Sequence, residues 1–497
     1  MSGKKQVLKG RLFSWTRFFV TLQEVIIPDI SSHPLMQKDQ DFPELADLRK
    51  TFERGITRDF SWRRSQLVAL EAFLIEREQD IAQALHDDFR KSPAETFLTE
   101  TGYLRGEIRF VLKHLKSWMK PHRVSIPLIY QPGKGFYISE PYGVVLIIGA
   151  WNYPLNLCLA PLISAIAAGN CAVVKPSEHA QHTSKIIAEG ICHYLDRNTM
   201  CVFEGGVDVT KSLLEEHFDY LFFTGSQSIG REVMHAAAKH LTPLTLELGG
   251  KCPCIVEENV NLRVAARRIV WAKFLNAGQT CISPDYVLVH ENVEEELLRY
   301  MSDAITDFYG DDPRLSPDYP RIVNENNFHR LEKLLSLSSP SRECSTGAHD
   351  YYVAPTILQG VTLEAEVMHS EIFGPLLPVI SYRDLGEALK IIGTGRNPLA
   401  LYLFSSDPKV QERVVHQSRS GGVCINDLLF QASIHRLPFG GIGSSGFGAY
   451  HGRAGFDTFS FQRSVLKRSL YPDPDLRYPP YGTRKFGFLK RLVTFFH

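Results

Sequence analysis

Cys281 is one of nine cysteines in a chain of 497 residues. It closes the stretch Asn276-Ala277-Gly278-Gln279-Thr280-Cys281, small and polar residues that follow a helical pattern over 262–275. A thiol acts as a nucleophile when it is accessible and its pKa is lowered. Most cysteines are instead buried hydrophobes, and both readings fit these residues. Glu247 lies in Thr245-Leu246-Glu247-Leu248-Gly249-Gly250. A carboxylate in an apolar run is partly desolvated, which lifts its pKa toward the range of a general base. A satisfied structural glutamate fits equally.

Two further segments offer ligand-binding chemistry. Phe223-Thr224-Gly225-Ser226-Gln227-Ser228-Ile229-Gly230 joins an apolar run to a helical one. A strand end followed by a helix N-terminus favours phosphate. The spacing is neither a G-x-G-x-x-G fingerprint nor a Walker loop, and a structural turn explains it as well. Lys175-Pro176-Ser177-Glu178 also follows an apolar run. Lys and Glu at a strand end can bond ribose hydroxyls, or stand solvated in a loop.

The elements that must position these residues are legible in the hydropathy rhythm. Three-and-four spacing predicts helices over 43–90 and 96–119. Pro121, Pro127, Pro132 and Gly133 then mark a loop or hairpin. Continuous apolar runs predict strands at 144–148, 172–174, 200–203 and 220–223, with helices at 155–168, 183–195, 209–216 and 229–239 between and after them. That alternation predicts a doubly wound parallel sheet. A second α/β set is expected from about Thr245, with helices at 262–275 and 293–308 and a strand at 286–289. Residues 421–448 are glycine-rich and loop-heavy.

Composition narrows the function classes. Fifty-five basic and 55 acidic residues give zero formal charge, which speaks against a general nucleic-acid binder. Nine scattered cysteines in a long chain speak for a reducing, cytoplasmic compartment over a disulfide framework. No run reaches the roughly 18 apolar residues of a spanning helix, and no secretory signal is evident. Both ends combine basic and aromatic residues, a pattern that can lie on an anionic membrane.

Together the motifs resemble the aldehyde dehydrogenase superfamily. Glu247-Leu248-Gly249-Gly250-Lys251 resembles its glutamate signature, and Gly278-Gln279-Thr280-Cys281 its cysteine signature. Trp151-Asn152-Tyr153-Pro154, Lys175-Pro176-Ser177-Glu178, Phe223-Thr224-Gly225-Ser226, Glu371-Ile372-Phe373-Gly374-Pro375 and Pro438-Phe439-Gly440-Gly441 match in the same order. Wording such as Ser445-Gly446-Phe447-Gly448-Ala449-Tyr450-His451-Gly452 and Arg477-Tyr478-Pro479-Pro480-Tyr481 is most similar to class 3, the fatty-aldehyde group. The resemblance spans about 43–481.

It implies an α/β fold: a Rossmann-like cofactor domain, a catalytic α/β domain and a small bridging, oligomerising segment. Carried onto this chain, that gives an N-terminal extension (1–42), an NAD(P)-binding domain (43–244, with 120–138 in the bridging segment), a catalytic domain (245–425), a return segment (426–470) and a tail (471–497). It implies oxidation of an aldehyde to the acid, with Cys281 as nucleophile, Asn152 and the Cys281 backbone N–H as oxyanion donors, and Glu247 activating water. Lys175 and Glu178 would hold the adenosine ribose, and Trp151, Gly225, Ser226 and Gly230 would help form the cofactor site. Glu371 would hold the nicotinamide ribose, with Phe373 against the ring. NAD is the first expectation and NADP the second; no residue is assigned to a metal. The partners expected are an apolar medium-chain, long-chain or aromatic aldehyde and a second copy of the chain.

Departures from the family wording are the long N-terminal extension and Cys252 in place of the commoner serine. The tail differs too: only 16 residues follow Tyr481, too few to continue into a spanning helix. Three rival functions fit the same fold or ends. One is transfer of the acyl group to phosphate or coenzyme A, one a non-catalytic binding protein on the same fold, and one a membrane-surface scaffold. Retention of Glu247, Cys281 and Asn152 favours hydrolytic oxidation.

Overall fold

The computed structural model describes residues 42–127, 130–338, 345–394 and 397–496. The extension, apart from Phe42, and Cys344 lie outside the described residues. The helices and sheets all belong to the body that begins at Glu44, apart from Pro43 at the start of the first helix.

The helical start resolves into Pro43–Glu53, Phe60–Glu76, Glu78–Phe89 and Gly102–Trp118, the last entered through a short π turn at Phe97–Thr101. The helices from Phe60 onward share one core with the first sheet's helix Pro154–Ala168 and bury Leu67, Leu70, Phe73, Leu85, Leu104 and Ile108 in it. That helix is apolar on nearly every side and buried almost throughout, so helices cover it from outside as the sheet covers it from within. Gly169, with φ +94°, ends it in the left-handed conformation that glycine adopts freely.

The first sheet has six strands in the order Gly446–Phe447, Leu244–Leu248, Tyr220–Gly225, Val144–Ile148, Cys171–Lys175, Met200–Val202. All pair in parallel except Gly446–Phe447, which runs antiparallel beside Leu244–Leu248. The alternation read from the apolar runs is therefore present, with one correction. Leu244–Leu248 does not open the second set; Thr245 pairs with Phe222 and Glu247 with Thr224 inside the first sheet. A buried parallel strand is apolar whichever sheet it joins, so its run of residues carries no address.

The second sheet is also six-stranded and parallel, in the order Thr356–Leu358, Leu376–Tyr382, Tyr286–His290, Pro253–Val256, Ala400–Phe404, Gly422–Ile425. Helices Leu262–Phe274 and Glu294–Tyr309 pack on each other beside it. A three-stranded antiparallel sheet joins His122–Val124, Gly133–Pro141 and Ser460–Arg468, so strands from either side of Pro132 share one small layer with a strand of the return segment.

Candidate active site

Chain order in the first sheet moves outward from Val144–Ile148 through Cys171–Lys175 to Met200–Val202. It then returns to add Tyr220–Gly225 on the other side of Val144–Ile148. The carboxyl ends of Val144–Ile148 and Tyr220–Gly225 therefore flank a topological switch point, where open α/β sheets bind ligands. A cavity of about 320 Å³ lies there. Trp151 and Asn152 enter it after the first of these strands, Gly225 and Ser226 at the end of the second, and Glu247 from the neighbouring strand. Cys281, Glu371 and Phe373 come to the same cavity from the other half of the chain.

The turn that carries Cys281 is unusual. Asn276, Ala277 and Gly278 take φ of +50°, +51° and +75° in succession, which reverses the chain sharply after helix Leu262–Phe274. A Cβ on Gly278 would stand 2.3 Å from the Gly374 carbonyl oxygen, so glycine is required on space as well as conformation. Buried polar groups hold the turn. The Asn276 backbone N–H donates to Glu95 Oε1 (2.9 Å), and Asn276 Nδ2 to the Asn152 carbonyl (2.8 Å). Gln279 Nε2 donates to the carbonyls of Asn276 and Arg321, each 3.0 Å away, while its Oε1 accepts from Val323 N–H.

Asn152 is fixed from the opposite direction. Its Nδ2 donates to the Gln279 carbonyl at 3.1 Å. Just beyond it, the first amides of helix Pro154–Ala168 are capped by a carboxylate from afar: Glu100 Oε2 accepts from Leu155 and Asn156 N–H, both at 3.0 Å. Glu100 Oε1 is paired with the buried Lys91 at 2.9 Å, and the Lys91 ammonium stands 4.5 Å from the centre of the Tyr153 ring. Negative charge at a helix N-terminus is favourable, which is how a fully buried carboxylate is accommodated here.

Electrostatics follow burial. Both Glu247 carboxylate oxygens lack a hydrogen-bond partner among the described residues, and desolvation raises its pKa well above the ordinary carboxylate range. Burial pushes the Cys281 thiol up to about 12, with the Glu371 and Glu247 charges adding to it. The backbone N–H groups of Cys281 and Ile282 act in the other direction. Glu371 is raised to about 8 by burial and then by the Asp285 charge, against a bond from Gly250 N–H. The Glu371 loop is anchored by Lys251, which pairs with Asp285 and donates to the carbonyls of Val367 (2.8 Å) and Ser370 (3.1 Å).

The residues present fit a nicotinamide dinucleotide. Ser226 caps helix Gln227–His240 through its Oγ, leaving the N-terminus of a 14-residue helix at the cavity's edge, a position that favours phosphate. Glu371 Oε1 is buried without a hydrogen-bond partner among the described residues, as an acceptor awaiting hydroxyl groups would be. Trp151 and Phe373 meet edge to face at 5.2 Å, forming an aromatic wall. Lys175 and Glu178 are not on this wall. Lys175 ends the adjacent strand, almost wholly buried, and its Nζ donates to the Pro176 carbonyl (2.8 Å) and to Glu178 (3.3 Å). Gly230 is also apart. It faces Leu248 across the helix–strand contact, where a Cβ would come within 2.8 Å of a Leu248 methyl, so its smallness serves packing.

Sequence reasoning missed several wall residues. Arg330 donates to the carbonyls of Ile372 (2.7 Å) and Phe373 (3.3 Å), holding Phe373 in its left-handed conformation at φ +48°. Asn327, Leu157, Leu399 and Tyr450 also line the cavity. None lies in a segment whose spacing singled it out; Tyr450 falls in the class 3 segment 445–452, where the resemblance gives it no role.

The profile of the aldehyde dehydrogenase family matches residues 46–465. Human aldehyde dehydrogenase family 3 member B1 is 46% identical over 447 residues, covering 90% of this chain and 96% of that protein. Rat aldehyde dehydrogenase family 3 member A2 is 44% identical over 445 residues, covering 89% and 92%. Among solved structures, the substrate-bound state of Staphylococcus aureus AldH superposes with a TM-score of 0.89 at 42% identity, covering 91% of this chain and 99% of that one.

Proposed function

The chain belongs to the aldehyde dehydrogenase family, an NAD(P)-dependent oxidoreductase acting on the aldehyde group, and from that premise we propose that it oxidises apolar aldehydes to carboxylic acids through a thioester on Cys281. The observation that carries this reading is that one cavity holds Cys281, Asn152 and Glu247.

Cys281, as thiolate, forms the bond to the aldehyde carbon, and the carbonyl oxygen takes up the negative charge. Asn152 Nδ2, which carries a second proton beyond the one given to Gln279, and the Cys281 backbone N–H receive that oxygen. When bound, the nicotinamide cofactor supplies the hydride acceptor. Glu247 then takes a proton from the water that attacks the thioester carbon, and the C–S bond breaks to release acid and thiol. Glu247 is what favours water over phosphate or coenzyme A as acyl acceptor.

The apolar part of the wall, Leu157, Phe439, Tyr450 and Leu399, supports medium-chain, long-chain or aromatic substrates. Each buried methylene contributes about 0.8 kcal/mol, roughly fourfold in kcat/KM. A panel from two to ten carbons tests it: a steady rise supports the reading, and a flat profile rejects the substrate class. Cys281→Ala removes turnover in this reading and leaves cofactor affinity within about twofold; substantial NADH formation by that variant rejects the mechanism.

Glu178 favours NAD, since its carboxylate repels a 2′-phosphate on the ribose, with NADP as the second cofactor. We also propose a homodimer in the cytoplasm. The strand Ser460–Arg468 is a nine-residue sheet edge, largely exposed and carrying Phe461 and Leu466 outward, and edges of that kind are normally covered. Sedimentation velocity tests the dimer, with a monomer at micromolar concentration as the contrary result. No helix among the described residues is long and apolar enough to cross a membrane; the helix Thr483–Phe496 is proposed to lie on one.

A further inference from the structure

Phe439 and Tyr450 line the catalytic cavity and are tied to each other through their backbones. Phe439 N–H donates to the Tyr450 carbonyl (3.1 Å), and Tyr450 N–H to the Phe439 carbonyl (2.8 Å). They form an isolated two-residue bridge outside any named strand, closing a ten-residue excursion that contains five glycines. Its middle is fixed by Gly446–Phe447 pairing with Leu244–Leu248, but the glycine-rich ends that carry Phe439 and Tyr450 need support of their own.

At the two ends that support includes Glu107. It lies on helix Gly102–Trp118, fully buried. One carboxylate oxygen accepts from Gly452 N–H at 2.6 Å, two residues beyond Tyr450. The other stands 2.6 Å from His435 Nδ1, four residues before Phe439, a close polar contact whose angles are not those of a hydrogen bond. A single side chain thus touches both arms of the excursion, one through a hydrogen bond and one through close contact. The imidazole is held on its other sides by Tyr103 (ring centres 5.2 Å) and Phe110 (5.8 Å), and a Cβ on Gly106 would meet its Nε2 at 2.9 Å. His451 completes the link. At φ +77° its ring stacks on Phe439 at 5.3 Å and lies 4.2 Å from the Tyr450 ring, with Tyr103 behind it at 5.4 Å.

We propose that Glu107 and His435 are positioning residues for substrate specificity: their contact sets the placement of Phe439 and Tyr450, and so the fit of the apolar part of the aldehyde. The proposal rests on the reading that the Cys281 cavity is catalytic and receives apolar chains. It separates the reacting end of the substrate, which Cys281 and Asn152 govern, from the chain end, which this contact governs. Loss of the contact therefore acts on KM for long chains and leaves the chemical step alone.

The test uses His435→Asn, which keeps the Gly452 bond to Glu107, together with Glu107→Gln and the double variant, all in the full chain. Steady-state kinetics with propanal and decanal are expected to show KM for decanal raised about tenfold, with kcat and the propanal KM within about twofold. The double variant is expected to be no worse than the worse single, because residues acting through one contact are non-additive. Unchanged decanal KM in folded His435→Asn overturns the proposal. An equal fall in kcat for both aldehydes also overturns it, since that is the mark of general loosening. A second measurement does not depend on turnover: dodecanoate titrated into Cys281→Ala with and without His435→Asn. Weaker binding with the second substitution supports the positioning role even if the wild type oxidises no aldehyde, a result that would reject the proposed function instead. Equal binding overturns the role.

Discussion

The Tyr153 hydroxyl stands 2.6 Å from the Thr280 hydroxyl, joining the turn that carries Asn152 to the turn that carries Cys281. Both residues are buried, and their neighbours in sequence are the proposed oxyanion donor and nucleophile. Tyr153→Phe deletes the bond and little volume. Unfolding free energy should fall by about 1 kcal/mol, and kcat by about tenfold through looser placement of Asn152 against Cys281. Cofactor affinity should not move. Chemical denaturation and steady-state kinetics together check this, and wild-type kcat in the variant would show that the link does not matter to the chemistry.

The thiol makes a prediction with a definite sign. Burial holds its pKa at about 12 in the protein without ligands, so the thiolate is the minor form across the neutral range. Alkylation requires thiolate. Iodoacetamide labelling of Cys281 should therefore rise about tenfold per pH unit from roughly pH 7 to 10, without the levelling near pH 8.5–9 of an unperturbed cysteine. Peptide mapping separates it from the exposed Cys192. A rate that is already flat by pH 8 would show that the thiol is activated before any ligand binds.

Glu247 should govern the second half of the reaction. Its carboxyl is raised by burial, and only the deprotonated form accepts a proton from water. Steady-state turnover limited by thioester hydrolysis should thus still climb with pH above the ordinary carboxylate range. Glu247→Gln should remove that limb and give a burst of NADH followed by turnover slowed about 100-fold or more. Stopped-flow absorbance resolves both phases. A variant that keeps both the pH limb and the wild-type steady state would mean that another group activates the water.

How far the sequence reaches is clearest at particular residues. Val144–Ile148 and Tyr220–Gly225 are legible because strands buried on both faces are continuous apolar runs. Leu244–Leu248 does not read as a strand, because Thr245 and Glu247 interrupt its apolar run, and its place in the first sheet lies in tertiary contacts. Gly446–Phe447 is two residues long in a glycine-rich stretch and has no pattern to find. At the site, Cys281 and Glu247 stand in segments whose composition already permits chemistry. Arg330 acts through backbone carbonyls of Ile372 and Phe373, and Glu100 through amides 55 and 56 residues away. Nothing in a helix's own spacing reports such distant partners.

The helix Thr483–Phe496 leaves Phe486, Phe488 and Val493 exposed. At 100° per residue, Phe488, Leu492, Leu489, Val493 and Phe486 share one half of its circumference, and Lys490, Thr494, Arg491 and Arg484 share the other. Lys485 falls within the apolar half, but its ammonium donates to the Tyr478 carbonyl and lies over the Tyr481 ring at 5.4 Å. No acidic residue occurs from 483 to 496, so every charge on the polar half is positive. Fourteen helical residues extend about 21 Å, short of the roughly 30 Å hydrocarbon core, which fits lying in an interface and not crossing it. Apolar burial and attraction to anionic headgroups then act together. Full-length protein should co-sediment with phosphatidylserine-containing vesicles at low salt, bind phosphatidylcholine vesicles much less, and be released by about 0.5 M salt. Removal of 482–497 should leave it in the supernatant, with turnover of a water-soluble aldehyde within about twofold of the full chain, since the tail is outside the cavity wall. Full-length protein that stays in the supernatant with anionic vesicles at low salt would reject the membrane reading and leave the exposed phenylalanines to a protein partner.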